Sequence, residues 1–337
     1  MFQQNLSTKI GKNRMKISSE QLQREAIATG FRPEILEKVW HLMTILNAVN
    51  EHFFLSGKLV LKGGTALNLF IFDLPRLSVD IDFNYIGQPE RDTMLTERPL
   101  IEQALEAIFQ REGMDIQKIP QKHAGGKWLL KYESALVGKG NLEVDLNFMF
   151  RVPLCPIVKM RSRCVGSRQT GDVLILDVHE LGAGKLAALF GRHASRDLFD
   201  AHQLLTKYDL NLKQLRLVSL IYSGMGSSDW RKVSIEEISF EKQELQMQLI
   251  PVLNRKFLKA QSDWLAWTNQ LLNGCREALC ALFPLKENER EFLDKLHDHG
   301  VLEASLLTND EDVIGKINSH PLLKWKIQLV LQNKNVS

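Results

Sequence analysis

The alternation of apolar and polar positions divides the chain into a strand-bearing part and a later helical part. Ser18 or Ser19 can cap a first helix running to about Ala28, and Gly30 ends it. From Glu34 to about Phe54, the apolar residues Ile35, Val39, Leu42, Met43, Leu46 and Val49 recur at helical spacing. The run Leu59-Val60-Leu61 then meets Lys62-Gly63-Gly64-Thr65, followed by an apolar helical pattern and a second strand. On that strand Val79, Ile81 and Phe83 face one way, and Asp80 and Asp82 face the other. Past a polar loop at 87–92, a helix to about Glu112 keeps Ile101, Leu105, Ile108 and Phe109 on one face. Trp128 to Tyr132 and Leu142 to Phe148 read as a hairpin turned at Gly138-Lys139-Gly140-Asn141, and Val173 to Asp177 as another strand. Leu181 to Leu189 and Asp197 to Leu205 fit two helices. Beyond about Leu210, segments 212–222, 234–250, 252–283, 286–298 and 310–332 read as helices separated by Pro251, Pro284-Leu285 and Gly300. Trp230, Trp264, Trp267 and Trp325 fit helix packing there.

This pattern predicts an α+β chain in three parts: a basic arm and helix over 1–33, a sheet-bearing core over 34–210, and an all-helical domain over 211–337. Its 337 residues suffice for one large or two ordinary domains, and 44% hydrophobic with 25% charged residues is ordinary for a soluble protein. A net charge of +3 is too weak to argue nucleic-acid binding by itself. Cys155, Cys164, Cys275 and Cys280 form no C-x-x-C pair, which fits free thiols in a reducing cytosol. Met1 to Lys16 carries no apolar signal region, and no run approaches the ~20 apolar residues of a membrane span, so a cytoplasmic protein is expected.

Charge is distributed unevenly. Lys9, Lys12, Arg14 and Lys16 make the first 16 residues basic, and 151–171 holds Arg151, Lys159, Arg161, Arg163 and Arg168 with no acid. Either stretch can be a solvated surface or a contact for a phosphate backbone. Region 211–337 balances 16 basic against 16 acidic side chains, so it offers no electrostatic preference of its own.

The chemistry concentrates around Asp80 and Asp82. Two carboxylates about 7 Å apart on one strand face repel each other unless a cation lies between them. Mg²⁺ suits such a site because it takes a few carboxylates and fills its remaining positions with water and substrate phosphate. On the returning hairpin strand, Glu143, Asp145 and Asn147 share one face, and Asp145 is the candidate third carboxylate. Lys185 lies on a small-residue helix surface from which it can hold a phosphate as a point charge. Arg196-Asp197-x-x-Asp200 places two acids on neighbouring faces of one helix, which by itself also fits a surface ion-pair set. A Walker A reading of 62–65 fails because the lysine precedes the glycines, and no kinase motif set is present.

Taken in order, Lys62-Gly63-Gly64-Thr65-Ala66-Leu67, Arg76-Leu77-Ser78-Val79-Asp80-Ile81-Asp82-Phe83, Lys185 and Arg196-Asp197-x-x-Asp200 resemble the AbiEii family of nucleotidyltransferase toxins. That family includes the MenT-type toxins and belongs to the DNA polymerase β-like nucleotidyltransferase superfamily. The resemblance covers roughly residues 35–210 and implies a small mixed sheet flanked by helices, with the C-terminal helical domain added to it. It implies that Gly63, Gly64 and Thr65, with Lys62 beside them, cradle the triphosphate of an NTP. Backbone N–H groups at a helix start give such a turn its anion affinity. It implies that Asp80 and Asp82 hold Mg²⁺, that Asp145 is the third metal and catalytic carboxylate, that Lys185 binds phosphate and that Asp200 completes the site, with Asp197 as the rival for that place. Ser78 shares the face of Asp80 and Asp82, so its hydroxyl should open into the site and a bulky negative group there should block it.

The function so implied is an Mg²⁺-dependent nucleotidyltransferase, the toxin of a bacterial toxin–antitoxin or abortive-infection system. It would transfer nucleotides from an NTP to RNA, with the tRNA 3′ end as acceptor and an antitoxin as partner. The alternatives are nucleotidyl transfer to a protein or small molecule, and a non-catalytic nucleotide-binding regulator. A regulator would have no use for the charge repulsion that Asp80 and Asp82 impose.

Overall fold

In the computed structural model the described residues are 17–118, 125–226, 228–259 and 263–334. The basic arm expected over residues 1–16 lies outside them. Helix α1 (Ser19–Thr29) is capped by Ser18, whose hydroxyl accepts from Gln21 N–H, and stops at Gly30 with φ of 82°. Helix α2 (Pro33–Glu51) begins on proline, whose missing N–H leaves no orphan there. It is buried on nearly all sides, with Leu36, Val39, Trp40, Leu42, Met43 and Leu46 in the core. Trp40 donates its indole N–H to Val165 O at 2.9 Å, so even the polar edge of this helix is satisfied.

Seven strands form one mixed sheet in the order β3-β4-β5-β2-β1-β7-β6. They are β1 (Leu59–Lys62), β2 (Asp80–Tyr85), β3 (Asp115–Lys118), β4 (Gly125–Glu133), β5 (Lys139–Asn147), β6 (Val158–Met160) and β7 (Val173–Ile175). The centre of the sheet decides the site. β2 pairs antiparallel with β1 and parallel with β5, in a register that sets Lys62, Asp82 and Asp145 in one row across three strands. Asp80 stands opposite Glu143 in the next row. Ile81, Phe83, Val144 and Leu146 point to the other face and join the core with α2 and α4 (Arg91–Arg111). The strict period of two therefore sorts all the carboxylates onto one side and the apolar residues onto the other.

Helix α3 (Gly63–Ala66) leaves β1 directly and widens into a π turn at Leu67–Ile71. It packs against α5 (Val178–Arg192), which is followed by α6 (Ser195–Lys207) and α7 (Leu212–Met225). Helix α5 contributes to two cores at once: Leu181 to the sheet core, and Leu186 and Leu189 to a helical core with Ile221, Phe292 and Leu296. A third cluster joins Phe199 of α6 to Leu249, Leu253, Trp267 and Leu271.

The helical part differs from the periodicity in three places. Over 234–250 a 3₁₀ turn (Ile235–Glu237) and a short helix (Lys242–Glu244) with a π turn (Leu245–Leu249) replace one long helix. Arg276 takes the carbonyls of Glu236 and Ile238, which a continuous helix would need for itself. Over 252–283 the chain first returns to the N-terminal part: Leu77 N–H bonds Val252 O, and Arg255 N–H bonds Gly30 O. Asp263 then caps a helix over Trp264–Leu279. Over 310–332 the helix is broken at His320, because Pro321 has no N–H to donate and holds its predecessor extended. Strands β3 and β6, four and three residues long, are too short to be read from pattern. Trp230 and Trp267 are core residues, whereas Trp264 and Trp325 are substantially exposed. The four cysteines are free, and among the described residues no helix is long and apolar enough to cross a membrane.

Candidate active site

Two adjoining cavities open on the carboxylate face of the sheet. The smaller, about 230 Å³, holds five basic side chains (Arg76, Lys127, Lys185, Arg192, Arg196) against five acidic ones (Asp80, Asp82, Glu143, Asp145, Asp197). A cavity so balanced has no net attraction for either sign, yet presents many charges in fixed places. The larger, about 500 Å³, shares Gly64, Asp82, Lys185 and Arg192 with it and continues between the sheet, α5 and the end of α7.

The glycine turn is fixed by what surrounds it. Gly63 has φ of 73°, a region open to glycine, and a Cβ there would come within 2.5 Å of Asp82 Oδ2. A Cβ on Gly64 would come within 2.9 Å of Ser78 Oγ and 3.1 Å of Arg76 Nη2. The turn thus lies directly against β2, and a side chain at either glycine would have to push the Asp82 or Ser78 side chain aside. Thr65 is fully buried, and its hydroxyl donates to Asp80 O, so its side chain ties α3 to β2 and does not line either cavity.

The carboxylates are held in an uneasy state. Burial pushes the Asp80 carboxyl above its ordinary value, with Asp82 and Glu143 adding to the rise and Arg196, 3.9 Å away, opposing it. Asp145 is raised in the same way, chiefly by burial, with Lys62 and then Lys127 opposing and Asp82 adding to the rise. Lys127 is paired to Glu143 at 2.7 Å. Among the described residues no three His, Cys, Asp or Glu side chains already gather to hold an ion by themselves.

Lys185 is buried and donates to Asp197 Oδ1 at 2.8 Å and lies 3.0 Å from Asp200 Oδ2. Burial lowers its pKa, but Asp200 and Asp197 outweigh that and leave the ammonium more firmly protonated than usual. Asp200 is wholly buried and receives two hydrogen bonds from Arg76, so it lies beneath the cavity floor and does not line it. Asp197 does line it, held by Lys185 and by Arg192 at 2.5 Å.

The structure therefore brings Lys62, Gly63, Gly64, Ser78, Asp80, Asp82, Asp145 and Lys185 to the two cavities and leaves Thr65 and Asp200 behind them. Sequence reasoning passed over Lys127, Arg192 and Asn84. The register of β4 with β5, which sets Lys127 opposite Asp145, was the missing information for the first. Asn84 continues the face of Asp80 and Asp82 by one more period and could have been found from that alternation. In the basic stretch 151–171 Arg151 is buried, whereas Lys159, Arg161 and Arg163 are exposed. Arg151 bonds the carbonyls of Pro89 and Phe148, Arg161 lies 3.3 Å from Asp172, Arg163 lies 3.2 Å from Asp73, and Arg168 covers the Trp40 ring at 4.5 Å.

The fold is similar to that of MenT4, a nucleotidyltransferase toxin from Mycobacterium tuberculosis H37Rv, with a TM-score of 0.59 at 17% identity, covering 90% of this chain and 99% of that one. Comparison with curated proteins finds no match. The family model described as nucleotidyl transferase AbiEii toxin, type IV toxin–antitoxin system, matches residues 44–272, a span that contains every side chain named in the two cavities. The chain belongs to the AbiEii family of nucleotidyltransferase toxins of type IV toxin–antitoxin systems.

Proposed function

We propose that the protein uses Mg²⁺ to transfer a nucleotidyl group from an NTP to a hydroxyl of an RNA acceptor, with the tRNA 3′ end as the target, and that a cognate antitoxin restrains it. The observation that carries this reading is the row Lys62–Asp82–Asp145 beside the Gly63–Gly64 turn, with Asp80 on the same face.

In this reading the backbone N–H groups at the start of α3 face the triphosphate, with Arg192, Arg196 and Lys62 neutralising its oxygens. The donors at Asp80, Asp82 and Asp145 are all oxygen, which fits a hard divalent cation whose coordination the NTP phosphates complete. Bound there, Mg²⁺ would offset the charge that develops on the leaving pyrophosphate. The acceptor oxygen attacks the α-phosphorus, the bond to the β-phosphate oxygen breaks, and pyrophosphate leaves. A carboxylate oxygen of Asp145 takes the acceptor's proton. Lys185 reaches a phosphate only by loosening its bond to Asp197, whereas its bond to Asp200 anchors it from below.

A second reading, transfer to a protein or small molecule, is favoured by the burial of Arg151 and the stacking of Arg168 on Trp40, which leave that stretch fewer free cations to offer an RNA. Incubation of the purified protein with Mg²⁺, each labelled NTP in turn and total tRNA, alongside Asp80→Ala, separates the two. Label on tRNA with the wild type alone supports the first reading. Label on the protein itself supports the second, and label on neither defeats the first.

A further inference from the structure

We infer that the larger cavity is the nucleoside chamber of the incoming NTP and that Asn84 is the residue that discriminates among nucleosides. This rests on the transferase reading above and extends it to substrate selection. Asn84 follows Asp80 and Asp82 on the same face of β2, is 1% exposed and lines the cavity. Its Oδ1 has no hydrogen-bond partner, although it is buried. A buried amide oxygen left unpaired is unfavourable, and a polar group entering the adjoining cavity can complete it. An amide also presents a donor beside its acceptor, which matches the mixed edge of a nucleobase or the hydroxyls of a ribose.

The rest of the chamber is shaped for a flat, half-apolar group. Gly184, Ala187, Ala188 and Gly191 recur on one face of α5 and leave a smooth floor, whereas Leu186 and Leu189 on other faces are buried in the helical core. Phe150 supplies an aromatic wall, its ring 5.3 Å from that of Tyr222 at the end of α7. A volume near 500 Å³ falls inside the range of about 300–1,000 Å³ typical of small-molecule sites. The smaller cavity next to it is almost wholly charged and offers nothing to a base, so the phosphates lie along the glycine turn where the two cavities meet and the nucleoside takes the rest of the larger one. Tyr222 and Gly226, at the end of α7, border the chamber beside α5.

Calorimetric titration with Mg²⁺ and each of the four NTPs, and with Mg²⁺ and inorganic tripolyphosphate, tests this. The wild type is expected to bind at least one NTP more tightly than tripolyphosphate. Ala188→Leu, which fills the floor, should weaken every NTP about tenfold or more and leave tripolyphosphate unchanged, since one good buried contact is worth about that factor. Asn84→Ala should bring the four NTPs to within about threefold of one another, again without affecting tripolyphosphate. Asn84→Ala removes atoms without adding any, so it remains informative if the leucine variant fails to fold. NTP affinities and preferences unchanged in Asn84→Ala would overturn the inference. So would variants that keep NTP affinity but no longer label RNA, because the chamber would then belong to the acceptor. A wild type that binds neither NTP nor tripolyphosphate would instead defeat the transferase reading itself.

Discussion

Arg76 and Asp200, 124 residues apart in the chain, meet through two parallel hydrogen bonds, Nε to Oδ1 at 2.7 Å and Nη2 to Oδ2 at 2.6 Å. Both side chains are essentially excluded from solvent, and Lys185 adds a second cation to the same carboxylate. Burial alone would raise the Asp200 pKa, but Arg76 and Lys185 outweigh it and leave the carboxyl below its ordinary value. The pair joins the segment leading into β2 to α6, so it fixes the distance between the Asp80–Asp82 strand and the helices facing it. Without Arg76, the buried Asp200 carboxylate is left to Lys185, which it must share with Asp197. Arg76→Met is expected to destabilise the protein by about 3–5 kcal/mol in urea unfolding. A loss below about 1 kcal/mol would mean that the pair is not what holds the two elements together.

Gly63→Ala tests the turn. The alanine would have to adopt a left-handed backbone, costing about 1–2 kcal/mol, and its Cβ would displace Asp82. A shift of about 1 Å in a site of this kind lowers turnover about 100-fold, so transfer activity should fall by at least that factor while the protein still folds. Urea midpoints alongside initial transfer rates check both parts. Wild-type rates in the variant would mean that Asp82 does not need its present position.

The sheet core was legible because its residues obey one period. Ile81, Phe83, Val144 and Leu146 alternate with Asp80, Asp82, Glu143 and Asp145, and both strands were read with their faces assigned. The parallel pairing of β2 with β5, which places Asp145 next to Asp82, is a long-range fact that no local pattern contains. The separation of Asp197 from Asp200 failed for the same reason. Three residues apart on one helix, one faces the cavity and the other the buried Arg76, and only the packing of α6 decides which. The helical C-terminal segments depart from their periodicity where side chains capture backbone carbonyls, as Arg276 does at Glu236 and Ile238. Propensity cannot register such captures.

Ser78 is 6% exposed and lines the smaller cavity close to Gly64. A carboxylate placed there would repel both the triphosphate and its neighbours Asp80 and Asp82. Ser78→Asp is therefore expected to abolish transfer, and Ser78→Ala to retain it within a few-fold. If Ser78→Asp transfers at the wild-type rate, the hydroxyl is a bystander.

Glu180 gives the protein a pH dependence at the chamber wall. Burial pushes its carboxyl up from near 4.5 to about 7, against the hydrogen bonds from Cys155 N–H, Leu154 N–H and Tyr222, with Asp177 adding to the rise. The unfolded chain therefore releases this proton first as pH climbs. Glu180 should reduce stability progressively between pH 4.5 and pH 7 and have no further effect above that. Glu180→Gln cannot titrate, so the stability of the variant relative to wild type should rise from pH 5 to pH 7 and then level off. A difference in urea midpoints that stays flat across that window would show that Glu180 is ionised throughout.

The strand carboxylates should behave as a functional set that the fold does not require. Asp80 is raised first by burial and then by the charges of Asp82 and Glu143, so the like charges on this face oppose folding when nothing lies between them. Removing one should relieve that repulsion. In EDTA, Asp82→Asn is expected to unfold within about 1 kcal/mol of wild type or later than it. Addition of Mg²⁺ with an NTP should raise the unfolding temperature of the wild type, because a ligand that binds only the folded state stabilises it by mass action. The same addition should leave Asp82→Asn where it was and yield no labelled acceptor. A variant that unfolds several kcal/mol early in EDTA would instead make Asp82 a structural partner of the Gly63 turn, against which its carboxylate lies.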